Sequence, residues 1–464
     1  MSSRTMLHVA VWILGTLLAL GVVAFFLYFQ NMQSTDGVSV NMAQKDDVEE
    51  MTEFPLPTPQ ELSRFGTGSV RVEPNYYTDT VKALKASSAS FIEANLTTMK
   101  INAYQEGVLS FTVDIKTKGR PGSWWQTPAG VYHAQTKKQK HFSSFGHVYT
   151  DWNLPFQGNF FIHGWPYDED GTPVPQGFSG GCIRLTDEDA QRLYEFAEVG
   201  TPIIVYEDYF ASDNFSYEAV APVDITAASY LAMDIRSNDV ILEQHASSTF
   251  AIASITKIMT ALIATEYINL DKNLTVSARA ATATTSKPRF TEGESVLAFH
   301  VLYPLLNESS NQSATVLAES VGTERYVRLM NDKATAIGMA QTTFADPSGV
   351  LATNTATAED LARLAQYLYY NRPFVLNLLA GRLDPGFYDA PQFNDLSNFN
   401  IFSDDEAFVG GKVGHTKAAD ETMLAVFHID IRGTSRPIAI VVLGSTNIKD
   451  DVNKIRDYIA ERYR

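Results

Sequence analysis

One cysteine in 464 residues, Cys182, excludes an intrachain disulfide and leaves cysteine pairing silent on redox compartment. Positive charge is also scarce. Lys plus Arg number 36 against 53 Asp plus Glu, a net charge of −17, which argues against nucleic acid as a partner. Nine histidines are scattered too widely to argue a metal cluster and there is no phosphate-cradling glycine loop, so neither metal nor cofactor is expected. Disordered or collagen-like bulk is ruled out by 45% hydrophobic and 19% charged residues, and the length suits two or three ordinary domains.

Near the N-terminus, Leu7 to Phe29 run without a fixed charge, and at about 1.5 Å per residue they cross a hydrocarbon layer of about 30 Å. A cleaved signal peptide would have a shorter apolar region ending in small residues. This run ends in Phe25, Phe26, Tyr28 and Phe29, so a single uncleaved transmembrane helix is expected. Arg4 precedes it and Asp46, Asp47, Glu49 and Glu50 follow, which leaves residues 1–6 as a cytoplasmic stub and the bulk of the chain extracytoplasmic. Residues 30–67, polar, acidic and carrying P-L-P-T-P, read as a tether.

Residues 68–208 form the next expected domain, and between Ser88 and Asp208 its pattern is of short strands. The stretch from Phe91 to Tyr104, a turn at Glu106-Gly107 and Val108 to Thr117 predict a hairpin; Thr186 with Asp189 predicts a helix N-terminus, and T-P-I-I-V-Y a final strand. This segment holds S-G-G-C-I-R-L, Ser179 to Leu185, with F-I-H-G upstream. A lone thiol is often a small buried hydrophobe, but two adjacent glycines let backbone approach a ligand, and a separate His163 completes the minimum equipment for thiol acyl transfer.

These motifs resemble the active-site signature of the L,D-transpeptidases (YkuD-like), which cross-link peptidoglycan peptides through a cysteine thioester. The resemblance implies a β-rich sandwich, Cys182 as nucleophile, His163 as its base, and Ser179 and Arg184 on the substrate side. Arg184 either pairs with a substrate carboxylate or stabilises the fold. Most family members carry His where this chain has Gly180, which removes a polar contact but not the nucleophile.

After a linker at 209–222, residues 223–464 change character. Ala227 to Leu242 predicts a hairpin, and Phe250 to Glu266 a helix on which Ser254 and Lys257, three apart, share a face. Downstream come Ser309 and Asn311 in L-L-N-E-S-S-N, I-G-M at Ile337 to Met339, D-P-S-G at Asp346 to Gly349, and G-G-K-V-G-H-T at Gly410 to Thr416. In this order and spacing they resemble the low-molecular-mass penicillin-binding proteins, the serine D-alanyl-D-alanine carboxypeptidases. The resemblance implies an α/β domain, an antiparallel sheet with helices, in which Ser254 attacks, Lys257 takes its proton and Ser309 relays it to the leaving amine. It places Asn311, Lys412 and Thr416 against substrate, with the backbone N–H groups of Ser254 and His415 forming the oxyanion hole. Val413 stands where the family usually has Thr or Ser, so a hydroxyl that helps hold the substrate carboxylate is missing.

Together these readings describe a bifunctional enzyme of the bacterial cytoplasmic membrane. Its serine module trims the terminal D-alanine of peptidoglycan stem peptides, and its cysteine module cross-links the resulting tetrapeptides; β-lactams would acylate it. Two alternatives stand beside this. One is a peptidoglycan-binding protein with one or both sites decayed; in the other the serine module is an endopeptidase or a β-lactamase.

Overall fold

A computed structural model of the chain describes residues 76–209, 215, 217, 223–382, 392, 393 and 395–463. The expected membrane helix and tether lie outside these residues, as does most of the expected linker. Among the described residues no helix is long and apolar enough to cross a membrane.

The first half opens with a helix the sequence reading did not anticipate, α1 (Tyr76–Ala86), which buries Val81 and Leu84 beside Phe91, Tyr104 and Ile204. Three strands follow, β1 (Phe91–Asn95), β2 (Lys100–Gln105) and β3 (Val108–Asp114). The Glu106-Gly107 turn joins β2 to β3 as expected, but the apolar stretch before it is two strands rather than one. Asn95 breaks it, because its side-chain oxygen accepts from the N–H groups of Thr97 and Thr98, both at 2.9 Å, and Met99 follows with φ 54°.

The expected last strand, β9 (Pro202–Tyr206), inserts between β1 and β4 (Gly130–His133), giving the order β3-β2-β1-β9-β4 with β1 and β9 parallel. A second sheet takes β5 (Lys138–Ser143), β6 (Val148–Gln157), β7 (Phe160–His163) and β8 (Ile183–Arg184) in sequence order. Helix α2 (Asp187–Phe196) starts where Thr186 accepts from the N–H of Asp189 at 3.2 Å. Ile92, Ile101, Leu154, Ile162, Ile183 and Leu193 are among the buried residues of this module's core.

In the second half, β10 (Ser229–Asp234), β11 (Val240–Gln244), β12 (Phe408–Thr416), β13 (Asp420–Ile431) and β14 (Thr434–Ser445) form an antiparallel sheet, order β11-β10-β14-β13-β12. One face is covered by α9 (Ile448–Arg462). The other packs on α3 (Thr256–Tyr267), α4 (Ala298–Leu306), α5 (Asn311–Val321), α6 (Thr323–Ala336), α7 (Ala358–Asn371) and α8 (Pro373–Leu379). Helix α3 is the hub of this layer. Residues 256–266 are all buried, as a helix apolar around most of its circumference must be, and the burial takes in Lys257 and Glu266 at its two ends.

The helix predicted from Phe250 begins late. Phe250 and Ala251 pair with Ala356 and Thr355, Ala253 adopts φ 47°, and a 3-10 turn over Ala253–Ile255 carries Ser254 into α3. A non-glycine residue in the left-handed region is strained, and here the strain sits beside the candidate nucleophile.

All described residues belong to a single compact unit, and the halves share buried surface. Ala129 of the first half joins the core of the second, and Ala336 of the second joins the core of the first. Between them lies a buried charged cluster: Glu266 accepts from Lys333 at 2.8 Å and Arg372 at 3.2 Å, all three side chains fully buried. The first half supplies Gln157, whose amide donates to Glu266 at 2.7 Å, and Tyr132, whose hydroxyl accepts from Lys333 at 2.8 Å. Burial pushes the Glu266 carboxyl up, but Lys333 and Arg372 outweigh it and hold the group below the usual carboxylate range.

Candidate active sites

In the second half, the turn into α3 sets Lys257 Nζ 3.0 Å from Ser254 Oγ, with a second contact to the Ser348 carbonyl at 2.6 Å. Lys257 is fully buried, and its pKa is driven well below the ordinary lysine value by desolvation first and by Lys412 second, with Asp346 opposing. A lowered lysine pKa is what a base for a serine hydroxyl requires. Lys412, on β12, is also buried; its Nζ donates to the Val413 carbonyl at 2.7 Å, and desolvation lowers its pKa to about 7.

The backbone around the hydroxyl is tightly defined. A side chain at Gly414 would come within 2.7 Å of the Ser254 amide nitrogen, so β12 runs directly past the nucleophile with His415 next in line. Gly349 has φ 83°, and a Cβ there would meet the Ala253 carbonyl at 1.9 Å, so only glycine fits. The D-P-S-G loop is shaped by Asp346, which accepts from the N–H groups of Ser348, Gly349 and Leu351 at 2.6, 2.8 and 2.8 Å and from Asn354 Nδ2 at 2.6 Å. The working part of this loop, the Ser348 carbonyl that grips Lys257, is backbone and leaves no residue signature.

Ser309 lies between α4 and α5, both of which pack on α3. It has φ 56°, and its hydroxyl has no hydrogen-bond partner among the described residues. Glu308 anchors this corner from beneath, accepting from Arg289 Nε at 2.7 Å and from the N–H of Ser397 at 3.0 Å. Asn311 is engaged by the chain itself, its amide donating to the Thr284 carbonyl at 2.6 Å. Thr416, expected to offer a hydroxyl, accepts from the N–H of Ala419 at 3.2 Å at the end of β12.

Val413 is half-buried and packs toward the core under α9. Val413→Thr is expected to raise the second-order rate of Ser254 acylation by a penicillin about fivefold, the worth of one hydrogen bond of about 1 kcal/mol. Stopped-flow acylation of parent and variant checks this, and equal rates would show that the hydroxyl has no role here.

In the first half, the parallel register of β7 and β8, Ile162 to Ile183 and His163 to Arg184, brings Cys182 beside Phe161 at the start of β8. The half-buried thiol contacts the Asn159 carbonyl at 3.8 Å. His163 is buried, and its Nδ1 lies 2.6 Å from the Gly164 carbonyl. A carbonyl only accepts, so Nδ1 carries the proton and Nε2 is left as the basic nitrogen. Among the described residues no hydrogen bond joins the imidazole to the thiol. Desolvation pushes Cys182 up to about 11, against the pull of the Phe161 backbone and Arg184, and lowers His163 to about 4, against the Gly164 contact. The resting pair is therefore a neutral thiol and a neutral imidazole.

Ser179, expected on the substrate side, is buried and turned inward. Its hydroxyl donates to the Cys182 carbonyl and accepts from the N–H of Gly181 at 3.1 Å, so it shapes the nucleophile loop. Arg184 is half-buried, with its guanidinium 5.8 Å from the Trp165 ring centroid and Nε buried without a partner among the described residues. Gly180 is exposed, and a side chain there would meet nothing within 4 Å. Gly180→His is accordingly expected to fold as the parent does and to raise carbapenem acylation of Cys182 about fivefold, again one hydrogen bond's worth. Adduct formation followed by intact mass tests this; a slower variant would mean that the family's histidine has no counterpart role here.

Comparison with known proteins divides the chain the same way. The family model for D-alanyl-D-alanine carboxypeptidase matches residues 216–447, and that for the L,D-transpeptidase catalytic domain matches residues 89–205. The D-alanyl-D-alanine endopeptidase of Escherichia coli (strain K12) is 27% identical over 248 residues, 51% of this chain and 78% of that protein. The protein of the same description from Pseudomonas aeruginosa is 32% identical over 149 residues, 30% of this chain and 47% of its own length. A crystal structure of D-alanyl-D-alanine carboxypeptidase from Mycobacterium tuberculosis H37Rv aligns at 22% identity and a TM-score of 0.46, covering 52% of this chain and 93% of that one.

Proposed function

Because the chain belongs to the D-alanyl-D-alanine carboxypeptidase family and carries a segment matching the L,D-transpeptidase catalytic domain, we propose that it is a bifunctional peptidoglycan-modifying enzyme with two different nucleophiles. The observation that carries the reading is the buried Lys257 amine 3.0 Å from the Ser254 hydroxyl. Ser254 attacks the carbonyl of the penultimate D-alanine and Lys257 takes the hydroxyl proton. The N–H groups of Ser254 and His415 hold the oxyanion, and the departing D-alanine amine receives its proton through Ser309. Water then hydrolyses the ester. At the second site His163 Nε2 takes the Cys182 proton, the sulfur displaces the terminal D-alanine of the tetrapeptide, and the amine of a neighbouring stem resolves the thioester. The serine step makes the donor that the cysteine step uses, and a shared chain raises the local concentration of that intermediate. Residues 7–29 anchor the enzyme in the membrane with both modules outside the cytoplasm; carbonate washing of membranes tests the anchor.

A second reading of the serine module is endopeptidase, cutting a cross-link in place of a free terminus. It is favoured by the names of the Escherichia coli and Pseudomonas aeruginosa relatives and by Val413, which offers no hydroxyl to a terminal carboxylate. Intact mass after exposure to a penicillin and to a carbapenem, on the parent, Ser254→Ala and Cys182→Ala, tests the nucleophiles. Digestion of pentapeptide against cross-linked dimer separates the two serine activities. A parent that gains no adduct from either drug overturns the enzyme reading in favour of a binding protein.

A further inference from the structure

The cysteine nucleophile is held from two sides, and both holds end in the other module. On one side Cys182 Sγ rests against the Asn159 carbonyl, and the N–H of Asn159 donates to the Glu266 carbonyl at 2.9 Å. The residue between Gln157 and Asn159 is Gly158, with φ 51°; a side chain there would strike the Glu266 carbonyl at 2.2 Å, so the turn is fitted to the end of α3. Gln157 closes the contact through its amide on the Glu266 carboxylate. On the other side, the Gly181 carbonyl accepts from Thr127 Oγ1 at 2.8 Å, and the Thr127 carbonyl accepts from Asn371 Nδ2 at 3.2 Å. Asn371 also accepts from the N–H of Ala129 at 3.0 Å, and Arg372 donates to the Gln126 carbonyl at 2.8 Å.

We infer that Glu266 and Asn371, residues of the serine module, are positioning residues for the Cys182 site, so that the thiol module is completed by its neighbour and is not a self-sufficient enzyme. Glu266 is suited to this. Lys333 and Arg372 fix its carboxylate from behind, Tyr367 donates to it at 3.4 Å, and the helix that ends there carries Lys257 in its first turn, on the order of 14 Å away along α3, just after the 3-10 turn that holds Ser254. One helix thus follows directly on the serine nucleophile and carries Lys257 at its N-terminal end, and supports the cysteine loop at its C-terminal end. The inference rests on the reading of Cys182 as an acyl acceptor for its consequence, but not for its test.

The test uses the full chain with Gln157→Leu, which removes the donor to Glu266, and Asn371→Asp, which keeps the acceptor for Ala129 and loses the donor to Thr127. Two reagents are followed at Cys182 by intact mass, a carbapenem that needs the built site and iodoacetamide that needs only an accessible thiolate. The penicillin adduct at Ser254 reports folding. Both variants are expected to acylate with carbapenem at least tenfold more slowly while reacting faster with iodoacetamide, with the pH midpoint of alkylation moved toward that of a free thiol. Parent-like rates and midpoint in both variants overturn the inference. Should the variants lose the Ser254 adduct as well, hydrogen exchange on the parent decides. The Asn159 amide must then exchange with the C-terminal turn of α3, and exchange at the rate of the β5–β6 hairpin overturns the inference. A parent that alkylates but takes no carbapenem defeats the acyl-transfer reading and leaves the positioning result standing.

Discussion

Lys257→Met is expected to slow penicillin acylation of Ser254 a hundred- to ten-thousandfold, the usual range for loss of a positioned base. The variant keeps the size and straight-chain shape of lysine, so loss of rate reports the amine and not a cavity. Lys257 is the only amine within hydrogen-bond reach of the Ser254 hydroxyl among the described residues, and its other contact, the Ser348 carbonyl, cannot take a proton. The pH dependence carries the same argument. Acylation is expected to rise with pH as Lys257 loses its proton, at a pKa well below that of a free lysine because of burial and Lys412. It is expected to fall again above about 7, where Lys412, the group proposed to hold the substrate carboxylate, loses its charge. Stability moves in a defined direction through the same groups. Lys412 has a folded pKa of about 7 against 10.5 unfolded, so between these values the unfolded chain binds the extra proton and stability rises with pH. Below about 7 the full cost of charging a buried amine, on the order of several kcal/mol, is present. Lys412→Met removes its share of that slope, which urea melts at pH 7 and pH 9 measure. A bell-shaped acylation profile in Lys257→Met at parental height would remove the amine from the mechanism.

Much of the serine site could be read directly from the chain because its chemistry is carried by side chains at short, fixed spacings, Ser254 to Lys257 above all. What could not be read is what backbone does. The left-handed Ala253 and Ser309, the Ser348 carbonyl and the glycine fit at Gly349 depend on distant segments meeting, and no local pattern announces that. The strand pattern failed at Asn95 for a related reason: a side-chain turn interrupted a stretch whose apolar residues alone favoured continuity. The largest surprise is the seam. Glu266, Lys333 and Arg372 would pass as surface charges in a sequence, and only the packed structure reveals the three side chains in a buried cluster with Gln157 and Tyr132 from the other half. Ser179 shows the limit from the opposite side, a residue placed by motif whose hydroxyl is committed to its own loop.

His163→Ala is expected to reduce carbapenem acylation of Cys182 by a hundred- to ten-thousandfold while leaving the Ser254 penicillin adduct unchanged. At rest the thiol is held up near 11 and the imidazole down near 4, so a preformed thiolate-imidazolium pair is not the ground state. In the proposed mechanism proton transfer must therefore accompany attack, and the tautomer of His163 is the one that this requires. The Gly164 carbonyl fixes the proton on Nδ1, leaving Nε2 as acceptor, and it is also the contact that supports the imidazolium once formed. In the parent, therefore, iodoacetamide labelling at pH 7 is expected to be slow and to climb through the alkaline range, whereas carbapenem, which places a carbonyl against the sulfur, is expected to react at neutral pH. Removing His163 separates the two reagents: alkylation at high pH persists, because hydroxide can take the proton, and carbapenem acylation at pH 7 is lost. If His163→Ala acylated at the parental rate, Cys182 would have to find its base elsewhere, and no other histidine lies on β7 or β8 to supply one.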